Sequence, residues 1–167
     1  TLYIVEGIAM FIIYILLLLP GRMPKEVDDR LWTSYYAHRG LHEKDKSIPE
    51  NSMTAFRKAV DAGYGIEMDL NLTADGRIIV FHDDNLSRLC GADRLITDCT
   101  YEELLTYNLE NTGEKIPLFE DVLSMVNGQV PLIVELKNTK NLNELCSKTA
   151  EHLDHYDGLY CVESFQP

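Results

Sequence analysis

Apolar and polar positions change rhythm several times along this chain. The stretch "GIAMFIIYILLLLP", Gly7 to Pro20, carries no charge. With "LYIV" upstream, broken only by Glu6, it gives an apolar span of about 18 residues, close to the ~20 that cross a bilayer. Residues 1–20 are therefore expected to form a transmembrane helix. A cleaved signal peptide fits less well, because only "PGRMPK" follows and no small-residue cleavage site appears. A buried core helix is the remaining alternative. Residues 21–33 are polar, with Pro24 and Gly21, and read as a linker.

Beyond residue 33 the period alternates. "TSYYAHRG" reads as a short aromatic strand, followed by the polar loop "LHEKDKSIPEN". "SMTAFRKAVDA" places Met53, Phe56, Ala59 and Val60 on one helical face, with Asn51 expected as cap and Gly63 as stop. "GIEMDLNL" (65–72) is a strand. Asp75-Gly76 marks a tight turn, and "RIIVFHDD" is the next strand. "TYEELLTYNL" is predicted helical, with Thr100 and Glu103 spaced as a capping box. "PLFEDVLSMVNG" is a second helix ending at Gly128. "VPLIVELK" (strand), "NLNELCSKTAEHLDHY" (helix) and "GLYCVESF" (strand) follow. Apolar strands alternating with helices predict a parallel α/β sheet. The link between the second and third strands is too short for a helix. It marks either a hairpin or a short return in an irregular barrel.

Charge narrows the function. The 167 residues hold 27 Asp and Glu against 15 Lys and Arg, a formal net charge of -12. No basic stripe exists, so nucleic acid is not an expected partner. Cys90, Cys99, Cys146 and Cys161 show no CxxC or zinc spacing and read as scattered thiols. Arg22, Lys25 and Arg30 flank the apolar span, which by the positive-inside rule favours a cytoplasmic domain on a single-pass anchor.

The candidate chemistry starts with Glu67 and Asp69. They lie two apart in "GIEMDLNL" and so point to one face of a strand. Two carboxylates side by side in an apolar strand are costly. They are relieved by a cation between them, by pairing with Arg or Lys, or by facing solvent on an edge strand. Glu135 and Lys137 repeat the spacing in "LIVELK". His82 ends "VFH", and His38 with Arg39 ends "YYAHR". In parallel α/β sheets, ligand-binding groups gather at the carboxyl ends of strands. On one rim, Glu67, Asp69 and Glu135 would suit Mg²⁺ or Ca²⁺. His38 and His82 would suit acid–base work, and Arg39 and Lys137 would suit a phosphate.

The stretches "AHRGLHEKDKSIPENSMTAFRKAVDAGYGIEMDLNLTADGRIIVFHDDNL" and "KIPLFEDVLSMVNGQVPLIVELK" carry HRG, PEN, ExD, HD and ExK in order. This set resembles the glycerophosphodiester phosphodiesterases, over residues 34–167. The resemblance implies a TIM-type (β/α) barrel with its site at the carboxyl-terminal rim. It implies Glu67, Asp69 and Glu135 as ligands of a divalent metal, Mg²⁺ or Ca²⁺. It also implies His38 and His82 as the acid/base pair, and Arg39 and Lys137 as phosphate contacts; within the pair, His38 as base and His82 as acid is the assignment preferred here, and the resemblance leaves it open. Glu50 and Asn51 of PEN would support the HRG loop. The implied reaction is hydrolysis of a glycerophosphodiester to sn-glycerol 3-phosphate and an alcohol. The substrate would be a small glycerophosphodiester or a lipid head group. Two other readings are a lysophospholipase D-type activity on membrane lipids and an inactive membrane-tethered binding domain. The latter would show a broken motif, and every member is intact.

Other polar residues carry blander expectations. His42 reads as a loop residue near the rim, and His152 and His155 as a polar helix face. Asp83 and Asp84 read as loop or cap groups. Glu163 and Ser164 are placed at a strand end where they would line a pocket. A TIM barrel takes about 250 residues. The five barrel strands counted here therefore lead to the expectation of a carboxyl-terminally truncated domain over residues 34–167.

Overall fold

The computed structural model describes residues 7, 8, 10–15, 28–137 and 139–165. Residues 7, 8 and 10–15 are helical and exposed. Among the described residues no helix is long and apolar enough to cross a membrane. The remainder of the expected transmembrane helix, and residues 21–27 of the expected linker, lie outside the described residues. The described end of that linker is folded. Helix α1 (Arg30–Thr33) is one turn, and the Tyr36 hydroxyl donates to the Leu31 carbonyl at 3.0 Å, seating it against the first strand.

Four strands run parallel: β1 (Tyr36–His38), β2 (Gly65–Leu72), β4 (Leu132–Leu136) and β5 (Tyr160–Glu163), in spatial order β1-β2-β4-β5. A fifth strand, β3 (Ile78–Val80), pairs antiparallel with the end of β2. Among the described residues, the count of five barrel strands is thus corrected to four parallel strands plus a hairpin arm. The physical reason is connection length: the turn at residues 73–77 reverses the chain, whereas a parallel crossover takes a dozen or more residues. The hairpin is closed by Thr73, whose amide donates to the Arg77 carbonyl at 3.0 Å. Strand β3 also stops sooner than "RIIVFHDD" suggests. Val80 N–H donates to the Pro117 carbonyl and Phe81 N–H to the Asp69 carbonyl, each at 2.9 Å. His82 therefore does not end a parallel strand. It follows Phe81, the residue that lies opposite Asp69, on a segment running the opposite way.

Helix α2 (Met53–Asp61) begins at Ser52, whose hydroxyl accepts from Ala55 N–H at 3.2 Å. Asn51 is not the cap. Its φ of 52° turns the chain before the helix, and its side chain points elsewhere. Helix α3 (Ser87–Cys90) is a single turn. Helix α4 (Tyr101–Leu104) shows the expected capping box between Thr100 and Glu103. It ends earlier than the pattern suggests: the Thr106 hydroxyl takes the Glu103 carbonyl at 2.7 Å, a local bond that competes with helix continuation. Helices α5 (Phe119–Val126) and α6 (Leu142–Asp154) match their predicted segments.

Every residue of β2 is buried. On one face Ile66, Met68, Leu70 and Leu72 pack with Phe56 of α2, Phe119 and Val122 of α5, and Leu145 of α6. Each such side chain contributes roughly 1.5–3 kcal/mol on burial. The opposite face carries Glu67, Asp69 and Asn71. A second cluster, including Phe81, Leu86, Leu89, Ile96 and Leu104, sits within residues 79–118. It holds the long excursion between β3 and α5 as a small packed unit. Its helical turns are too short for their periodicity to be read from sequence.

Candidate active site

Register brings the polar residues together. His38 pairs with Glu67 across β1–β2, and Asp69 pairs with Glu135 across β2–β4. Side chains at paired positions of parallel strands share a face. Glu67, Asp69 and Glu135 therefore converge, with one carboxylate oxygen from each lying within 4.8 Å of the other two. All three residues are buried.

Three carboxylates this close repel, and the surroundings answer them partly. Arg39 N–H donates to Glu67 Oε2 at 2.8 Å. Arg39 adopts φ 58°, which turns this N–H inward. Its Nε lies 3.2 Å from Asp69 Oδ2. Lys137 Nζ donates to Glu135 Oε1 at 2.8 Å and lies 3.4 Å from Asp69 Oδ1. Asn51 Nδ2 donates to Asp69 Oδ2 at 2.9 Å. Two cations thus face three carboxylates. Burial, with the charge of Asp69 beside it, pushes the Glu67 carboxyl up to about 7. For Lys137, burial opposes the charge, but the hydrogen bond to Glu135 and the charge of Asp69 outweigh it and raise its pKa. Asp69 Oδ1 is buried and accepts no hydrogen bond. An oxygen-only set with a buried carboxylate oxygen that accepts no hydrogen bond, and with a surplus negative charge, fits a hard divalent cation.

The two histidines occupy different settings. His38 is well exposed, and its Nε2 lies 3.9 Å from Glu67 Oε2. His82 is half-buried, and its Nδ1 donates to Asp83 Oδ1 at 2.7 Å. Asp83 is thus a partner of His82 rather than a loop or cap group. A side chain adjacent in sequence gave no spacing signal by which to find it. Glu50 of PEN accepts from Arg39 Nη1 at 2.8 Å, and Asn51 N–H donates to the Arg39 carbonyl at 2.9 Å. The support expected of PEN is present, and Asn51 additionally reaches the carboxylate cluster. Gly40, with φ +79°, closes the same loop against α2, where a Cβ would meet the Ala55 backbone carbon at 2.9 Å.

The remaining expectations divide. Glu163 pairs in register with Glu135 and is exposed, and the Ser164 hydroxyl donates to the Leu136 carbonyl at 3.2 Å. His42 is half-buried in the loop after Gly40. His152 stacks edge-on against Phe119 and lies 3.8 Å from Glu120, on helices away from the carboxylates. All four cysteines are free thiols.

Residues 38–159 match the glycerophosphoryl diester phosphodiesterase family. A glycerophosphodiester phosphodiesterase of Bacillus altitudinis is 38% identical over 134 residues, covering 74% of this chain and 54% of that protein. A lysophospholipase D of Homo sapiens is 29% identical over 157 residues, covering 86% of this chain and 48% of that one. A phosphodiesterase of Oleispira antarctica, solved with the product sn-glycerol-3-phosphate, is 28% identical with a TM-score of 0.71, covering 80% of this chain and 57% of that chain. The solved relatives are TIM barrels, and the parallel α/β sheet described above follows their fold. The chain spans about half the length of the curated relatives it matches. From the shared stretch and the ordered HRG, PEN, ExD, HD and ExK motifs, the chain belongs to the glycerophosphoryl diester phosphodiesterase family.

Proposed function

We propose that the protein carrying this chain hydrolyses glycerophosphodiesters to sn-glycerol 3-phosphate and an alcohol. The observation that carries this reading is the convergence of Glu67, Asp69 and Glu135 within 4.8 Å, with His38, Arg39 and Lys137 at the same strand ends. The three carboxylates would hold Mg²⁺ or Ca²⁺, which when bound supplies Lewis acidity to a phosphoryl oxygen. Arg39 and Lys137 add positive charge where the phosphodiester's negative charge would sit. His38, exposed at the rim, takes the proton of the attacking hydroxyl, either of water or of the glycerol itself; in the second case the alcohol leaves from a cyclic glycerol phosphate, which water then opens to sn-glycerol 3-phosphate. His82 donates a proton to the departing alkoxide as its P–O bond breaks.

The test is glycerol 3-phosphate release from glycerophosphocholine by the protein at full natural length, with Mg²⁺ or Ca²⁺ added. Release that is lost in His38→Ala and in Glu67→Ala supports the proposal. No product, or undiminished product in either variant, overturns it.

A second reading, lysophospholipase D-type hydrolysis, rests on the 86% coverage of this chain by its match to the human enzyme of that name. The exposed apolar side chains Ile8, Phe11, Ile12 and Ile13 would suit a lipid surface. It goes with a single-pass anchor at residues 1–20 and a cytoplasmic domain. Faster turnover of lysophosphatidylcholine than of glycerophosphocholine would favour it. Extraction of the protein from membranes by alkaline carbonate would remove the anchor.

A further inference from the structure

Arg88 lies outside every strand end and outside the HRG, PEN, ExD, HD and ExK motifs. It nonetheless joins two groups that the proposed chemistry needs. Its Nε donates to Asp83 Oδ2 at 2.7 Å and its Nη2 to Asp83 Oδ1 at 3.0 Å, a two-bond fork. From the same guanidinium, Nη1 donates to Glu50 Oε2 at 3.0 Å and Nη2 to Glu50 Oε1 at 2.8 Å. Asp83 is the carboxylate that accepts from His82 Nδ1 at 2.7 Å. Glu50 is the carboxylate that accepts from Arg39 Nη1 at 2.8 Å.

The arrangement is held in place from below. Arg88 sits on the single turn α3, between Leu86 and Leu89, both buried in the second hydrophobic cluster. Gly91, at φ 69°, ends the turn. The side chains of Glu50 and Asp83 are only 15% and 22% exposed. Drawn together without a cation, two such carboxylates would repel. Burial works against the Asp83 charge, yet hydrogen bonds from Arg88 and His82 hold its carboxyl below the usual range. Burial likewise opposes the Glu50 charge, and Arg88 and Arg39 outweigh it.

We propose that Arg88 is a positioning residue: its guanidinium clamps Asp83 and Glu50 together, and through them orients the His82 imidazole and the Arg39 guanidinium. An ionised carboxylate only accepts, so His82 carries its proton on Nδ1 when bonded to Asp83. Nε2 is then the nitrogen that takes up a second proton, and the resulting imidazolium, held by Asp83, is the form that gives its Nε2 proton to the leaving alkoxide. Arg is suited to this task because its planar fork meets two carboxylates at once. A lysine ammonium is a point charge and cannot reproduce that geometry.

The inference rests on the hydrolytic reading for its kinetic arm only. The first measurement is independent of activity: ¹⁵N NMR of the His82 side chain, at a pH where the imidazole is neutral. The wild-type chain is expected to show the Nδ1–H tautomer. Arg88→Ala is expected to shift it toward Nε2–H, the direction also expected of an Asp83→Ala control, which removes the acceptor. An unchanged His82 spectrum in folded Arg88→Ala overturns the proposal. Should Arg88→Ala fail to fold by circular dichroism, Arg88→Lys replaces it, with the same shift expected and the same outcome overturning it. The second measurement is turnover. Arg88→Ala is expected to lose about 10–100-fold in kcat, as outer partners of catalytic groups typically do. Arg88→Lys is expected not to restore it, and added guanidinium ion to restore part. Full kcat in Arg88→Ala, or full rescue by Arg88→Lys, overturns the clamp. If the wild-type protein releases no glycerol 3-phosphate, the hydrolytic reading fails, while the tautomer shift still decides the clamp.

Discussion

Asp69 on β2 and Glu135 on β4 are register partners across a parallel ladder, and Glu67 stands two residues before Asp69 on the same face. Strand pairing therefore sets the spacing of the carboxylates, and no loop has to close to bring them together. A site built on rigid strands keeps its geometry better than one built on loops.

This geometry predicts a cation requirement with a definite residue dependence. Asp69→Asn removes the carboxylate that touches Arg39, Asn51 and Lys137 at once. Its affinity for Mg²⁺ or Ca²⁺ should fall by at least about 100-fold, since even outer-partner losses cost 10–100-fold. Isothermal titration of the variant against wild type measures this. Equal affinity would remove the carboxylate cluster as the metal site.

The Asn51 contact predicts a smaller effect. Asn51→Ala leaves buried Asp69 Oδ2 without its amide donor. The cost to stability should be about 1–3 kcal/mol, read from urea unfolding. A loss below that range would mean the bond contributes nothing in the folded protein.

Glu67 predicts a pH dependence. Its carboxyl is pushed from a usual 4.5 up to about 7 by burial and by Asp69. The folded state therefore holds a proton that the unfolded state has released. This contribution to stability is complete below pH 4.5 and disappears as pH rises through about 7. Its size is on the order of 3 kcal/mol. Other acids titrate too, so the measurement is the difference between wild type and Glu67→Gln, in chelator, across this range. The pH dependence of that difference should shrink in saturating Mg²⁺ or Ca²⁺, because a bound cation favours the ionised carboxylate. A pH-independent difference in chelator contradicts the prediction.

Gly40→Ala tests the loop that presents His38 and Arg39. The position needs φ +79°, and the new Cβ would meet the Ala55 backbone carbon at 2.9 Å. A destabilisation above roughly 1 kcal/mol is expected, together with loss of divalent-ion affinity, because Arg39 N–H leaves Glu67. Wild-type melting and binding would show that the loop tolerates the change.

The candidate residues and the α/β class were legible in the chain alone. Period-two and period-3.6 patterns are local, and so is the ordered set of HRG, PEN, ExD, HD and ExK. Carboxylates two apart in an apolar strand announce a shared face without any structure. Tertiary structure decided what each residue faces. Strand direction made β3 an antiparallel arm, because that depends on a turn too short to cross over. Backbone φ made Asn51 a partner of Asp69 and left the helix cap to Ser52. The role of Asp83 was not legible because a neighbour in sequence carries no spacing signal, and that of Arg88 because folding supplies its second partner: Glu50 lies 38 positions from Arg88 in the chain. A guanidinium's two carboxylates are chosen by packing in three dimensions, and no one-dimensional period records that choice.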